Sequence, residues 1–181
     1  YESAAAVPEA FYTAEDGVFS LGELAEGEAV LIHAGASGVG TAAIQLAAAA
    51  GARVIATAGT AEKAARCEEL GAALGVNYRE RDFTEAVDEL TGGAGGDLVL
   101  DLVGASYWDR NIASLRVGGR LVLLGLVGGT RAEADLGAVL RKRLRIIGSV
   151  MRSRSIEEKC EVTVRFRERI LPRLESGELK A

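Results

Sequence analysis

Val30-Leu31-Ile32-His33-Ala34-Gly35-Ala36-Ser37-Gly38-Val39-Gly40-Thr41 decides the fold: an apolar strand runs into a glycine-rich turn that opens directly into a helix. The segment sits in an uncharged run, Ala29 to Ala52, long enough to suggest a membrane span. Gly35, Gly38 and Gly40, set beside His33, Ser37, Thr41 and Gln45, argue instead for a buried strand, a tight turn and a helix packed on a sheet. A dinucleotide pyrophosphate needs close backbone approach, which side chains obstruct, and exposed N–H groups at the positive end of a helix. In that reading Gly35 makes the tight turn, Ser37 and Gly38 face the pyrophosphate, and Gly40 lets the helix lie against the strand. The spacing also imitates a P-loop, but Gly40 is followed by Thr41 without the lysine that reaches β and γ phosphates, which disfavours a nucleoside-triphosphate site.

Outward from this turn the chain alternates apolar runs with helical stretches. The runs are Ala29 to Ala34, Arg53 to Ala58, Gly75 to Tyr78, Asp97 to Val103, Arg120 to Leu126 and Arg145 to Val150. They lack two-residue polar alternation, as expected of parallel strands covered on both faces. Helices are expected at Ser3 to Thr13, Gly38 to Ala50, Ala61 to Leu70, Phe83 to Leu90, Tyr107 to Leu115, Leu136 to Arg141 and Ile156 to Ser176. Thr60 is a candidate N-cap, Gly51 and Gly71 sit just past helix ends, and Gly118-Gly119 is expected to turn the chain before the fifth strand. Six strands in two halves predict an α/β Rossmann domain, a doubly wound six-stranded parallel sheet of order 3-2-1-4-5-6 with helices on both faces. Its ligand belongs in the crevice where the order reverses.

Composition narrows the function. The 181 residues carry 21 basic and 26 acidic side chains, so a net charge of −5 gives no general attraction to nucleic acid or anionic membrane. Two cysteines, Cys67 and Cys160, and one histidine offer no zinc-ligand spacing, and so few thiols favour a reducing, cytoplasmic compartment over a disulfide-stapled secreted module. The cysteines read as half-buried helix residues. No signal peptide is visible, and the sequence opens at Tyr1 within an Ala-rich stretch, as expected of a piece of a longer polypeptide.

The second strand bears on the cofactor. NAD-selective sites usually end it with Asp or Glu, whereas Val54-Ile55-Ala56-Thr57-Ala58-Gly59-Thr60 has no carboxylate. An acid would repel a 2′-phosphate, while Thr57, Thr60 and Lys63 are suited to bind one, and Tyr78 adds a phenol on the same rim. A methyltransferase, which shares the glycine turn, normally needs the missing acid. No tyrosine has a lysine four positions later, so the short-chain dehydrogenase route to hydride transfer is absent from this chain.

Ile32-His33-Ala34-Gly35-Ala36-Ser37-Gly38-Val39-Gly40-Thr41-Ala42-Ala43-Ile44-Gln45-Leu46 resembles the cofactor turn of the zinc-independent, zeta-crystallin-like quinone oxidoreductases of the medium-chain dehydrogenase/reductase superfamily. Thr57 to Thr60, Val76 to Arg79, Asp97 to Gly104 and Gly118 to Arg120 fall in family order. Gly104 to Trp108 and Arg152 to Ser155 are similar to the tumour-suppressor-inducible quinone reductase type and its bacterial relatives.

The resemblance implies NADPH-dependent reduction of quinones or related enones by direct hydride transfer, without metal or flavin. By motif, Gly35, Ala36, Ser37, Gly38 and Val39 would meet the pyrophosphate, and Thr57, Gly59, Lys63 and Tyr78 the 2′-phosphate end. Gly104, Gly125 and Leu126 would approach the nicotinamide ribose, with Val150 and Met151 near the carboxamide. The catalytic GroES-like domain would lie in flanking residues, leaving this piece with no catalytic residue and inactive alone. Glu15 departs from an aromatic residue frequent in the family, and Tyr107 and Trp108 read as packing rather than as a quinone-stacking surface.

The alternative is a non-catalytic NADPH-binding protein, crystallin-like or RNA-binding. Only the basic cluster Arg141, Lys142, Arg143, Arg145, Arg152 and Arg154 supports nucleic-acid binding, and without an aromatic platform it reads as a solvated face or subunit rim. The sixth strand, apolar at Ile146, Ile147 and Val150, should be a sheet edge, and a homodimer paired through it is expected.

Overall fold

The computed structural model describes residues 2–181, with side chains described from residue 5 onward; Tyr1 lies outside the described residues. Six strands form one parallel sheet: β1 (Ala29–Ile32), β2 (Arg53–Ala58), β3 (Leu74–Asn77), β4 (Gly96–Asp101), β5 (Leu115–Leu123) and β6 (Arg145–Gly148). Their order is β3-β2-β1-β4-β5-β6, with every neighbouring pair parallel, as the sequence predicts. The order reverses between β1 and β4, so the connections leaving these two strands diverge and open a crevice.

Apolar residues lie on both faces of the strands because both are covered. Val30, Ile32, Val54, Ala56, Leu98, Leu100 and Val122 pack into one core layer with α1 (Glu2–Glu15) and α2 (Gly38–Ala49). Leu31, Ile55, Val99 and Leu121 point the other way, onto Phe83 of α4 (Phe83–Thr91) and Ile112 of α5 (Trp108–Ser114). The remaining helices are α3 (Ala61–Glu69), α6 (Leu136–Lys142), α7 (Ile156–Arg169) and α8 (Leu171–Glu175). Thr60 caps α3 by accepting from the Lys63 N–H, and Gly51 and Gly71 take positive φ of 78° and 111°.

Most element ends fall within two residues of expectation, and three stretches differ by more. The first helix continues past Thr13 to Glu15 and then as a wider π-helical segment, Asp16–Leu21, which carries Asp16 into the interior. Gly118-Gly119 does not precede β5 but lies within it. Gly96 pairs with Leu115 while Leu98 pairs with Arg120, so Arg116 to Gly119 bulge out and Gly118 takes φ +79°. The terminal helix is not continuous over 156–176. A Ser155–Glu158 capping box starts α7, and the chain breaks at Ile170, where Pro172 opens α8 because its missing N–H is harmless only in a first turn.

The cysteines also differ from the half-buried expectation, with Cys67 buried and Cys160 exposed. Among the described residues, no helix is long and apolar enough to cross a membrane.

Candidate cofactor-binding site

The turn after β1 is built from close contacts. A Cβ on Gly40 would lie 2.3 Å from the Ala34 carbonyl oxygen, and one on Gly35 would lie 2.9 Å from Cys67 Sγ. Gly40 is therefore where α2 touches the strand end and Gly35 where the turn touches α3, while Ala34 takes the left-handed φ of +51°. Ser37 is the N-cap of α2, its hydroxyl accepting from the Gly40 N–H at 3.1 Å. The N–H groups of Gly38 and Val39 open the helix, where no intrahelical carbonyl reaches them, and Ala36 and Gly38 are exposed beside them.

Three cavities lie at the carboxyl ends of the strands. The first, of about 440 Å³, lies over β1, β2 and β3 and includes Ala36, Ser37, Gly59, Lys63, Tyr78 and Arg79 in its lining. The second, of about 200 Å³, lies over β4 and β5 and includes Gly104, Trp108 and Leu126. The third, of about 310 Å³, lies between the ends of β5 and β6, the end of α1 and the start of α2, with Asp16, Val39, Leu124, Ser149, Val150 and Met151. Val103 lines the first cavity and the adjacent Gly104 the second, so the post-β4 loop is the joint between them.

Of the residues named from the sequence, Ala36, Ser37, Thr57, Gly59, Lys63 and Tyr78 line the first cavity, Gly104 and Leu126 the second, and Val39, Val150 and Met151 the third. Gly125 is a packing position at which a Cβ would come within 2.8 Å of the Leu102 carbonyl oxygen. Thr57 is turned away from the role expected of its hydroxyl: it is fully buried and bonded to His33 Nδ1 at 3.0 Å. Arg79 was not singled out by sequence, though its charge beside Tyr78 was the available signal. It stands with Lys63 in the first cavity, whose lining contains no carboxylate. The Tyr78 hydroxyl sits over Gly59, 3.0 Å from where a Cβ would be. Tyr107 packs as expected, its ring 4.8 Å from His33 and 5.1 Å from Phe83, with the Arg110 guanidinium over its face.

Beneath the crevice runs a buried polar chain that sequence reasoning missed. His33 Nε2 lies 2.7 Å from Asn111 Oδ1, Asn111 Nδ2 donates to Asp101 Oδ2 at 3.0 Å, and Asp101 accepts the N–H groups of Val103 and Gly104 at 2.7 and 3.0 Å. A histidine interrupting an uncharged strand was the visible signal. Burial pushes the His33 pKa down to about 4, with the Asn111 hydrogen bond opposing and the Arg110 charge assisting. The Asp101 carboxyl is raised, because burial outweighs its bonds to Gly104, Val103 and Asn111.

His33 thus resists a proton that the unfolded chain accepts near pH 6.5, so its contribution to stability is full above that value and falls away towards pH 4. The loss is about 3 kcal/mol by that linkage. Asp101 has the opposite sign, its contribution being lost as pH rises above the ordinary carboxylate range, so the histidine is isolated by difference. Urea unfolding of wild type and His33→Phe at pH 7.5, 6 and 5 should show the steeper fall in wild type, and equal slopes would refute the assignment.

The basic cluster is largely committed within the fold. Arg141 pairs with Asp135 at 3.2 Å, Arg145 with Glu23 at 2.7 Å and Arg154 with Asp16 at 2.5 Å. Lys142 Nζ donates to the carbonyls of Ile112, Ala113 and Leu115, capping the end of α5. Arg154 in particular is not on a solvated face but turned inward. The described residues include no group of three or more His, Cys, Asp or Glu placed to hold a metal ion.

A family model described as zinc-binding dehydrogenase matches residues 38–166, more than half of the chain. Quinone oxidoreductase 1 of Escherichia coli is 40% identical over 120 residues, 66% of this chain and 37% of that protein. The crystal structure of an Escherichia coli quinone oxidoreductase complexed with NADPH superposes with a TM-score of 0.87 at 33% identity, covering 99% of this chain and 55% of that one. That of CurK enoyl reductase gives 0.82 at 32% identity, covering 99% and 53%. The chain spans about half the length of these solved relatives, and the zinc in the family description finds no ligand set among its described residues. On the family match, the parallel sheet and the order of the glycine motifs, the chain belongs to the zinc-binding dehydrogenase family, as a quinone oxidoreductase-like member of the medium-chain dehydrogenase/reductase superfamily.

Proposed function

We propose that this chain is the NADPH-binding domain of an oxidoreductase that transfers hydride to a quinone or related enone. The observation that carries the reading is the first cavity, which has a helix N-terminus on one side and two cations without a carboxylate on the other, as suits a pyrophosphate and a 2′-phosphate. Gly35, Ala36, Ser37, Gly38 and Val39 would hold the pyrophosphate; Gly59, Lys63, Tyr78 and Arg79 the 2′-phosphate end; Gly104, Gly125 and Leu126 the nicotinamide ribose; Val150 and Met151 the carboxamide. The bound nicotinamide supplies the hydride. This chain's residues bind and orient it, and the acceptor site and GroES-like domain belong to the flanking polypeptide. Similarity to both a quinone oxidoreductase and an enoyl reductase supports the acceptor class.

A charged phosphate contact is worth about 1.5 to 3 kcal/mol, or roughly tenfold to a hundredfold in affinity. Calorimetric titration should therefore show NADPH bound at least tenfold more tightly than NADH, with Lys63→Ala and Arg79→Ala each narrowing the gap. Equal affinities would sink the cofactor assignment. Following NADPH absorbance with a benzoquinone and a simple enone should show turnover by the full-length enzyme and none by this chain alone. Positioning the acceptor against the nicotinamide with water excluded needs the missing half of the cleft.

The same reading includes a homodimer. β6 is an edge strand, and the exposed Leu136, Leu140 and Val150 lie on α6 and just after β6. Sedimentation should give a dimer that Ile147→Pro converts to monomer. The Cys67 and Cys160 thiols, neither in a disulfide, suit a reducing cytoplasmic setting. The non-catalytic, RNA-binding alternative is disfavoured by the internal pairing of Arg141, Lys142, Arg145 and Arg154.

A further inference from the structure

The polar chain under the crevice crosses the sheet at the place where strand order reverses. It begins at Thr57 on β2, passes through His33 just after β1 and Asn111 on α5, and ends at Asp101 on β4, with all four residues buried. Its direction is determined by one end. Asp101 accepts the Val103 and Gly104 N–H groups, and Asn111 turns its NH2 to the same carboxyl and its carbonyl oxygen to His33. His33 therefore carries its proton on Nε2 and leaves Nδ1 bare for the Thr57 hydroxyl.

The same carboxylate grips two successive N–H groups, Val103 at 2.7 Å and Gly104 at 3.0 Å. Gly104 is held at φ +86° and ψ −132°, and a Cβ there would come within 2.8 Å of the Gly129 carbonyl oxygen. That peptide is the joint between the first and second cavities.

We propose that His33 and Asn111 are positioning residues which, through Asp101, fix the Val103–Gly104 peptide and thereby govern how the nicotinamide half of the dinucleotide is held, leaving the adenosine half untouched. The proposal rests on the cofactor reading above. Of the residues proposed for the pyrophosphate and 2′-phosphate, Gly35 hydrogen-bonds to the chain, its N–H donating to the Thr57 carbonyl at 2.8 Å, a backbone bond that substitution of His33 or Asn111 leaves in place. His33 is partnered on every polar ring atom and packed edge-on to Phe83 and Tyr107, so it has no free valence for a ligand and acts only through its neighbours.

The test compares 2′,5′-ADP, which fills only the adenosine end, with NADPH. His33→Phe keeps the ring between Phe83 and Tyr107 but removes both hydrogen bonds. It should bind 2′,5′-ADP within twofold of wild type while NADPH weakens about tenfold. Asn111→Ser, which cuts the chain one link further on, should give the same pattern if the Phe variant folds poorly. His33→Gln carries an amide nitrogen as many bonds from Cβ as Nε2 is, and should restore NADPH to within threefold of wild type. Amide exchange at Val103 and Gly104 should accelerate in the Phe and Ser variants and return towards wild type in the Gln variant.

Equal weakening of both ligands, undiminished NADPH binding, or a Gln variant no better than Phe would overturn the proposal. Wild-type protein that binds neither ligand would instead refute the cofactor reading. The exchange rates at Val103 and Gly104 would then decide whether the chain fixes that peptide.

Discussion

Gly40→Ala should cost this domain about 3 kcal/mol or more of stability, whereas Gly38→Ala, two residues away in the same motif, should leave the fold intact. A Cβ on Gly40 would stand 2.3 Å from the Ala34 carbonyl oxygen, 2.7 Å from Gly35 Cα and 2.8 Å from Gly35 C. These are backbone atoms in the turn between β1 and α2, and none can swing aside as a side-chain tip would. Relief requires lifting α2 from the sheet and with it the buried Ala42, Ala43, Ile44, Leu46 and Ala47. At Gly38 the nearest atom to an added Cβ is Ala10 Cβ at 3.7 Å, an ordinary contact. Gly38 is exposed at the start of α2, next to Ser37 of the first cavity, so a methyl group there should weaken NADPH without moving the urea midpoint. Midpoints for both variants, with NADPH titrations, check the pair. A Gly40→Ala protein as stable as wild type would show that the turn has slack the contact distances deny.

The contrast explains what the motif disclosed and what it concealed. The glycine spacing announced a strand, a turn and a helix start, because three glycines so placed serve few other purposes. Which glycine guards packing and which guards the ligand depends on distances to Ala34 and Ala10, and these are three-dimensional facts. Strand order was readable for a related reason. Val30 and Ile32 face one layer and Leu31 the other, so continuous apolar runs meant a sheet covered twice, and alternation with helices left one common topology.

What stayed hidden involves residues distant in sequence. Nothing in the sequence singles out Asn111 within its helical stretch, and only folding brings it between His33 and Asp101. Thr57 looked available to a phosphate because strand-end threonines often are, and His33 claims it instead. Gly118-Gly119 suggests a turn as readily as the bulge it forms, because a positive-φ glycine serves both. Arg154 looked like a member of a basic face, since no local pattern reveals a carboxylate 138 positions away.

That distant partnership sets the second large effect. Asp16 is 2% exposed, and Arg154 donates to both its oxygens, at 2.8 and 2.5 Å, while Ser149 adds a hydrogen bond at 3.3 Å. Beside it Glu15 is fully buried, paired with Arg165 at 3.4 Å and Arg169 at 3.5 Å, so the two acids bind the end of α1 to α7 and to the segment after β6. Removing one partner of a buried pair leaves a charge with neither water nor counter-ion, and Arg154→Ala should cost about 3 to 5 kcal/mol. The Arg165 guanidinium, 3.5 Å from Asp16, stays beside it and should keep the loss near the lower figure. Replacing both charges, as Asp16→Asn with Arg154→Met, should cost far less, since nothing ionised is then stranded. The functional consequence follows from place. Asp16 and Ser149 line the third cavity together with Val150 and Met151, where the carboxamide would lie, so the single variant should also loosen NADPH and the double variant largely restore it. Chemical denaturation and NADPH titration of both variants test this. An Arg154→Ala protein within about 1 kcal/mol of wild type would mean that Asp16 keeps its hydration, and that packing alone holds the segment after β6.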